Sequence, residues 1–439
     1  MRTDPAATKS RYTLAVLIAI NILNFYDRNI PGALAEPIRK EFGLTDMQLG
    51  LMGSAFIWVY ALIGLPLGHL ADRASRKKIL AAGMVMWSTL TAFAAFATSF
   101  PLLLVSRLGV AVGEAVVAPT CTSMIGDLFP ADKRARPLGL FMLGVPVGGA
   151  LSYFFSGAIA HSFGWRTAMV TAALPALFLL PALLRVREPV RGASELAHRK
   201  VEKSSVWKIL RIPTMWWIIA SGALLNFNLY AVASFLPAFL SRVHGLSLRE
   251  SGIATGIIYG IGGVCGGLLA GRWGDRIVKR RTDGRLRLAA ALSLVAAPAG
   301  WFGLLSPLGM VLPAILLWML AYAAMNTYFA LVYSSIQDIV PPNARAITMA
   351  IYFMAMYLCG ASFGPVLTGS LSDRLARQAA TAAGSPVITE VFRAIGLQQA
   401  MLIIPILSIA LASVLYAGSR TITADIRRQE ELRYSSAGV

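Results

Sequence analysis

Long blocks of apolar residues dominate this chain and leave few folds open to it. Between about Tyr12 and Leu34 only Asp27 and Arg28 are charged, and from Trp216 to Leu240 nothing is. Runs of some twenty apolar residues match a hydrocarbon layer of about 30 Å at about 1.5 Å per helical residue. Transmembrane strands would instead alternate polar and apolar residues over about ten positions. With 56% hydrophobic and 14% charged residues, the 439-residue chain also lacks the charge to cover a soluble surface of its size. The expected fold is all-α and membrane-spanning, with twelve helices in two pseudo-symmetric six-helix bundles. Expected helix starts lie near Tyr12, Met47, Lys78, Leu102, Arg136 and Thr167, then near Thr214, Glu250, Leu288, Gly309, Ala346 and Gln398.

The formal charge of +19 could suggest nucleic acid, but the basic residues fall in short loops between the apolar blocks. Their distribution reads as topology. With a cytoplasmic N-terminus and twelve spans, 30 of the 40 Lys and Arg residues fall inside and 8 outside, and Arg28 and Arg107 lie within spans. The positive-inside rule then places both termini in the cytoplasm. Cys121, Cys265 and Cys359 all lie within apolar blocks, so no disulfide framework is expected. The absence of an Asn-x-Ser/Thr sequon and the short loops fit a bacterial inner membrane. The first block runs into Asp27-Arg28, unlike a cleavable leader.

The polar stretch from Arg185 to Arg211 divides the chain into residues 1–186, a linker 187–213, residues 214–418 and a tail 419–439, with a short amphipathic helix expected near Val206 to Ile209. A second long loop, Ser372 to Ala394, is expected outside. The two halves repeat. Gly68-His-Leu-Ala-Asp72-Arg73-Ala-Ser-Arg76-Lys77 recurs as Gly271-Arg-Trp-Gly-Asp275-Arg276-Ile-Val-Lys279-Arg280, and Asp127-Leu-Phe-Pro130 with Arg134 recurs as Asp338-Ile-Val-Pro341 with Arg345. A parallel six-plus-six repeat points to alternating access around a site between the halves.

The Gly68 loop and its Gly271 echo resemble the signature loop of the major facilitator superfamily. That resemblance implies a cytoplasmic gate at Asp72, Arg73, Arg76, Asp127, Arg134, Asp275 and Arg276, in which a carboxylate caps a neighbouring helix and arginines hold carboxylates. Within the superfamily, Asn24-Phe-Tyr-Asp27-Arg28, Gly50-Leu51, Arg107-Leu-Gly-Val-Ala-Val-Gly113-Glu114-Ala115 and Gly144-Val-Pro146-Val-Gly148-Gly149 resemble the Spinster family. This second resemblance implies transport of lysophospholipids or sphingoid phosphates, with proton coupling in some members.

Charges inside a bilayer are costly and mark function. Asp27, Arg107 and Glu114 are therefore the expected substrate-binding and proton-coupling residues. Helical rise puts Asp27 roughly 12 Å and Arg107 roughly 8 Å below the outer face, close enough for an ion pair. Glu114 follows Arg107 by two turns on the same face. Arg28 is rotated about 100° from Asp27 and is expected to pair elsewhere. A carboxyl there can load a proton when its arginine partner is drawn away, which outlines a coupling cycle. Arg28, Asn226, Tyr230 and Asn326 are expected to line the cavity, the last three because the superfamily uses helices seven and ten. The glycines and prolines at Gly144, Pro146, Gly148, Gly149, Gly360, Gly364 and Pro365 could pack closely or bend.

Other classes fit less well. The four histidines lie at helix ends or in loops, and neither a His-Glu-x-x-His motif nor a metal cluster is present, so no enzyme, metal or cofactor is expected. Remaining alternatives are a proton-linked carrier of small organic anions and a channel, scramblase or other passive facilitator. Expected partners are a lipid-like or small-molecule substrate, protons and membrane lipids, with the chain a monomer.

Overall fold

The computed structural model describes residues 5–130, 133–191, 206–341 and 344–436, with the side chain of Asp72 outside that set. Among the described residues the chain is helical with short connections and no strand. A backbone in hydrocarbon must satisfy its own hydrogen bonds, and a helix does so within one segment. Among the described residues nine runs are long and apolar enough to cross a membrane. One of them, Arg136–Arg185, is two helices, because the backbone leaves helical geometry at Gly164 (φ 85°, ψ 158°). Glycine reaches that conformation without a Cβ clash. Adding Pro5–Ala33, which carries Asp27 and Arg28, and Arg76–Ala94, which opens on three basic residues, gives the twelve spans.

The first half comprises α1 (Pro5–Ala33), α2 (Asp46–Arg73), α3 (Arg76–Ala94), α4 (Phe100–Leu128), α5 (Ala135–Met142 and onward to the Gly164 break) and α6 (from the break to Arg185). The second comprises α7 (Pro213–His244), α8 (Leu248–Val278), α9 (Gly284–Leu304), α10 (Val311–Asp338), α11 (Arg345–Met356 continuing through Gly364–Ala382) and α12 (Glu390–Met401 continuing through Ile403–Ser436). The repeat is visible in the backbone itself. A π-turn at Ser152–Ser156 in α5 has its counterpart at Tyr357–Ala361 in α11, an offset of 357 − 152 = 205 residues.

The described residues group into two compact units. One is drawn from Met1–Arg199 with Leu236–Ser241 and Gly245–Gly256, the other from Lys200–Phe235, Arg242–His244 and Ile257–Val439. Linker residues 192–205 lie outside the described set, but the helix expected beside them is present at Val206–Leu210, with Trp207 exposed and Ile209 buried. The loop expected at Ser372 to Ala394 is shorter than the sequence reading. Helix continues to Ala382 and resumes at Glu390. Small residues explain this, since Gly396 packs against the backbone of Ser372 and Ala376 and lets two polar-looking segments bury one face against each other. The helix of α12 likewise runs to Ser436, through most of the stretch read as a tail.

Gly148 on α5 lies directly against the backbone of Ile22 and Tyr26 on α1, where a side chain has no room. Gly360 and Gly364 on α11 meet Ala223 and Phe227 on α7 in the same way. Gly148→Leu should therefore destabilise the first unit by about 1–3 kcal/mol or more through overpacking. Gly139→Leu, where an added Cβ meets nothing within 4 Å, should be close to neutral. Thermal unfolding of the two purified variants measures the difference.

Candidate functional site

Four ionisable side chains are buried together in the first unit. Asp27 and Glu114 are fully buried, Arg107 is 1% exposed, and the Arg28 side chain is 6% exposed. Adjacent positions on α1 place Asp27 and Arg28 on different faces, and the two diverge as helical rotation requires. Arg28 turns toward α4, where its Nε–H donates to Glu114 Oε2 at 3.4 Å. Arg107 approaches the other residue, but its Nη2–H donates to the Asp27 backbone carbonyl at 3.2 Å and not to the carboxylate. The ion pair expected from depth alone is thus replaced by a contact with the main chain, because Asp27 points toward α3. Its nearest polar neighbours there are Trp87 and Thr91, and neither carboxylate oxygen makes a well-formed hydrogen bond.

Aromatic residues of α2 complete the cluster. The guanidinium carbons of Arg28 and Arg107 both lie 5.4 Å from the centre of the Phe56 ring, and Arg28 also lies 4.4 Å from that of Tyr60 and 4.7 Å from that of Phe25. The negative face of an aromatic ring attracts a desolvated cation, so Phe56 offers partial compensation to both guanidinium groups. Asn24 lies beside Glu114, and α4 is locally loosened after Glu114 because Pro119 has no N–H for the Ala115 carbonyl. Buried atoms left without a hydrogen-bond partner include both Asp27 carboxylate oxygens and Arg107 Nε and Nη1. Such unmet capacity is expensive in a protein interior and concentrates where ligands or protons arrive. The sequence singled out the charges and missed Phe56 and Tyr60. Their i, i+4 spacing on α2 was the available signal.

In the second unit, α7, α10 and α11 form an aromatic and hydroxyl network. Asn226 is buried and its Nδ2 donates to the Gly222 carbonyl and toward Met356 Sδ, while Asn326 donates to the Tyr322 carbonyl. Tyr230 meets Tyr357 edge to face at 6.3 Å, and Tyr259 stacks on Tyr322 at 4.2 Å. A hydroxyl relay joins Ser221, Tyr328 and Tyr352 at 2.7 Å and 3.0 Å. Both amide NH2 groups are engaged within their own helices, so these residues present an aromatic surface more than an open set of donors.

The signature loop is built around Arg76, which is 2% exposed. Its guanidinium donates to Asp127 of α4, to Ser123 Oγ at 2.9 Å and to the Pro189 carbonyl at 2.6 Å. Glu188 accepts from Ser75 Oγ, from the Arg76 and Lys77 backbone N–H groups and from Arg76 Nε, so it occupies the N-terminus of α3. A carboxylate there meets the positive end of the helix dipole. The helix-capping acid comes from the segment after α6; the Asp72 side chain lies outside the described residues. Arg73 is exposed, and Arg134 donates to the Phe129 carbonyl at 3.1 Å. In the second unit Arg285, not singled out by the motif, pairs with Asp338 at 2.6 Å, while Asp275 is 80% exposed and 4.0 Å from Arg285, and Arg276 is exposed. Arg76–Asp127 spans 51 residues and Arg285–Asp338 spans 53, so the repeat preserves the clamp although the arginine has moved within its loop.

A polytopic helical protein with a repeated arginine–carboxylate clamp and a buried charge cluster in one half has the architecture of a membrane carrier. The chain belongs to the major facilitator superfamily, whose family model matches residues 17–365. It is 33% identical to an MFS-type efflux pump of Mycolicibacterium smegmatis over 82% of this chain and 84% of that one. It is 30% identical to protein spinster homolog 1 of Bos taurus over 98% and 84% respectively. The crystal structure of a bacterial homolog of the human lysosomal transporter Spinster, in an inward-facing and unoccupied conformation, superposes with a TM-score of 0.85 at 28% identity. That match covers 96% of this chain and 99% of the other.

Burial alone would raise the pKa of the Glu188 carboxyl, but the bonds from Ser75, Arg76 and Lys77 outweigh it and hold that pKa below the ordinary value. A group depressed in the folded state stabilises it above its unfolded value, and that contribution is lost as pH falls through the folded one. Amide exchange at the start of α3 should therefore accelerate on acidification below about pH 4, the ordinary range for a glutamate. Glu188→Gln should show faster exchange already at neutral pH. Equal protection in both proteins at pH 7 would show that the contact does not hold the loop.

Proposed function

We propose that this chain is a secondary active transporter that works by alternating access and couples transport to protons. Its cargo is an amphiphilic anionic or zwitterionic lipid, such as a lysophospholipid or sphingoid phosphate. The reading is carried by the buried cluster of the first unit, in which Arg107 has two donors and Asp27 two acceptors without partners. Arg107 offers a planar pair of donors to an anionic head group. Asp27 and Glu114 are the groups to take up and release a proton, Glu114 through exchange of its Arg28 partner. The aromatic surface of the second unit suits the apolar body of such a cargo. The likeness to Spinster homologs covers nearly the whole chain, and the lipid class is what the resemblance to that family implies. We place the protein in a bacterial inner membrane with both termini cytoplasmic, on the strength of the loop charges.

Transport into liposomes of purified protein, with and without an imposed pH gradient, tests the coupling. Wild type should accumulate cargo in response to the gradient. Glu114→Gln should bind cargo and exchange it but lose gradient-driven accumulation. Wild-type transport that only equilibrates cargo whatever the gradient would leave a passive facilitator with a structural charge network, and gradient-driven accumulation by Glu114→Gln would remove Glu114 from the coupling.

Arg107→Lys keeps the charge and gives up the planar fork. Losing one charge-assisted bond of about 1.5–3 kcal/mol should weaken lysophospholipid binding by roughly ten- to a hundredfold, read by equilibrium binding in detergent. Unchanged affinity would assign Arg107 to packing alone.

A further inference from the structure

Beside the buried cluster of the first unit, α3 presents a polar face of its own. Trp87, Ser88 and Thr91 fall on the buried side of that helix with Gly83 and Met84, at spacings that bring side chains onto one face. Trp87 and Thr91 are wholly buried, and Trp87 Nε1 and Thr91 Oγ1 have no hydrogen-bond partner. Both lie beside the Asp27 carboxylate, whose own two oxygens are likewise unmet. Glycine holds the helices close here. A Cβ on Gly113 of α4 would stand 2.9 Å from the Trp87 backbone nitrogen and 2.9 Å from the Gly83 carbonyl oxygen. That contact sets Trp87 at the level of Gly113, next to Glu114.

An N–H and an O–H with no other partner, beside a carboxylate with no other donor, form a dock for the ionised acid. The charged groups that face Asp27 are Glu114 and Arg107, both on α4. Tyr26, its neighbour in α1, is engaged with Ser156 of α5. Arg107 reaches only the main-chain carbonyl of Asp27, and its Nε and Nη1 are without partners. The carboxylate therefore has two sets of donors within one cluster. On α3 it meets Trp87 and Thr91 and leaves Arg107 open; on Arg107 it would take the donors that an anion needs.

We propose that Trp87 and Thr91 are positioning residues that hold the Asp27 carboxylate on α3 and so keep Arg107 open to the anionic group of the cargo. The inference rests on the cargo-binding role given to Arg107 above and adds the control of its availability. Release of Asp27 from α3 lets it close on Arg107 and displace the cargo, a competition of two anions for one guanidinium fork.

Two measurements on the full-length protein in detergent test this. The first needs no cargo. Each of the nine tryptophans gives one indole N–H resonance after isotope labelling of the indole nitrogen, and that of Trp87 is assigned by its loss in Trp87→Phe. The Trp87 resonance should move with pH in a single step that disappears in Asp27→Asn. A resonance that ignores pH, or a step that persists in Asp27→Asn, overturns the proposal.

The second is equilibrium binding of lysophosphatidylglycerol. Thr91→Val removes one donor from the dock and should weaken binding on the order of tenfold, and Thr91→Ser should restore it. Asp27→Asn removes the competing charge, so adding Thr91→Val in that background should cost no affinity. An equal loss in both backgrounds would assign Thr91 to packing and overturn the proposal. If wild type binds no lysophospholipid, the cargo class proposed above fails, and the indole titration still decides the role of α3. The same titration decides it if Thr91→Val does not fold.

Discussion

A charge in a hydrocarbon layer must be neutralised, shared or used, and this constraint organises the first unit. Four ionisable groups lie out of contact with water where uncompensated burial is costly. Part of that cost is met by the Arg28–Glu114 contact and part by the Phe56 ring near both guanidinium groups. The remainder is not met inside the protein. Asp27 and Arg107 keep unpartnered polar atoms within one cluster, which is unfavourable for stability and suits groups that exchange partners. The α1–α5 contact at Gly148 fixes the helix that carries Asp27 and Arg28.

The second constraint is the duplication. Two copies of one plan started from similar loops, yet they balance their charges differently. In the first, Arg76 is surrounded by Asp127, Ser123, Pro189 and Glu188, and hardly any of its capacity is left. In the second, Arg285 and Asp338 form the clamp with fewer helpers. The first copy is followed by a connecting segment whose Glu188 folds back onto α3; the second is followed by a helix that continues straight to Ser436. Because the segments after α6 and α12 differ, the charge balance of the two loops differs with them.

Membership of the major facilitator superfamily fixes the architecture and the transporter class. Cargo is set by a handful of side chains on shared helices. For this chain the side chains we propose for that role are the buried charges of α1 and α4 and the tyrosines of α7, α10 and α11.

The sequence by itself determined the twelve helices, the repeat and the identity of the buried charges. Each of these rests on a local property: apolar length, motif spacing, or a charge where none is cheap. Segment ends were less legible where helices pack on one another, as at Ala382 and Glu390, because small residues such as Gly396 acquire their meaning only against a neighbour. Partnership was decided by the tertiary structure alone. Depth along a helix allowed Asp27 and Arg107 to pair, but the rotation of α1 gave the Asp27 carboxylate to α3 and left Arg107 the main-chain carbonyl. Glu188 became a helix cap, and Arg285 replaced the motif arginine, through contacts more than fifty residues apart. Sequence spacing gives height and facing within one helix; which side chains meet is set by how the helices are packed around it.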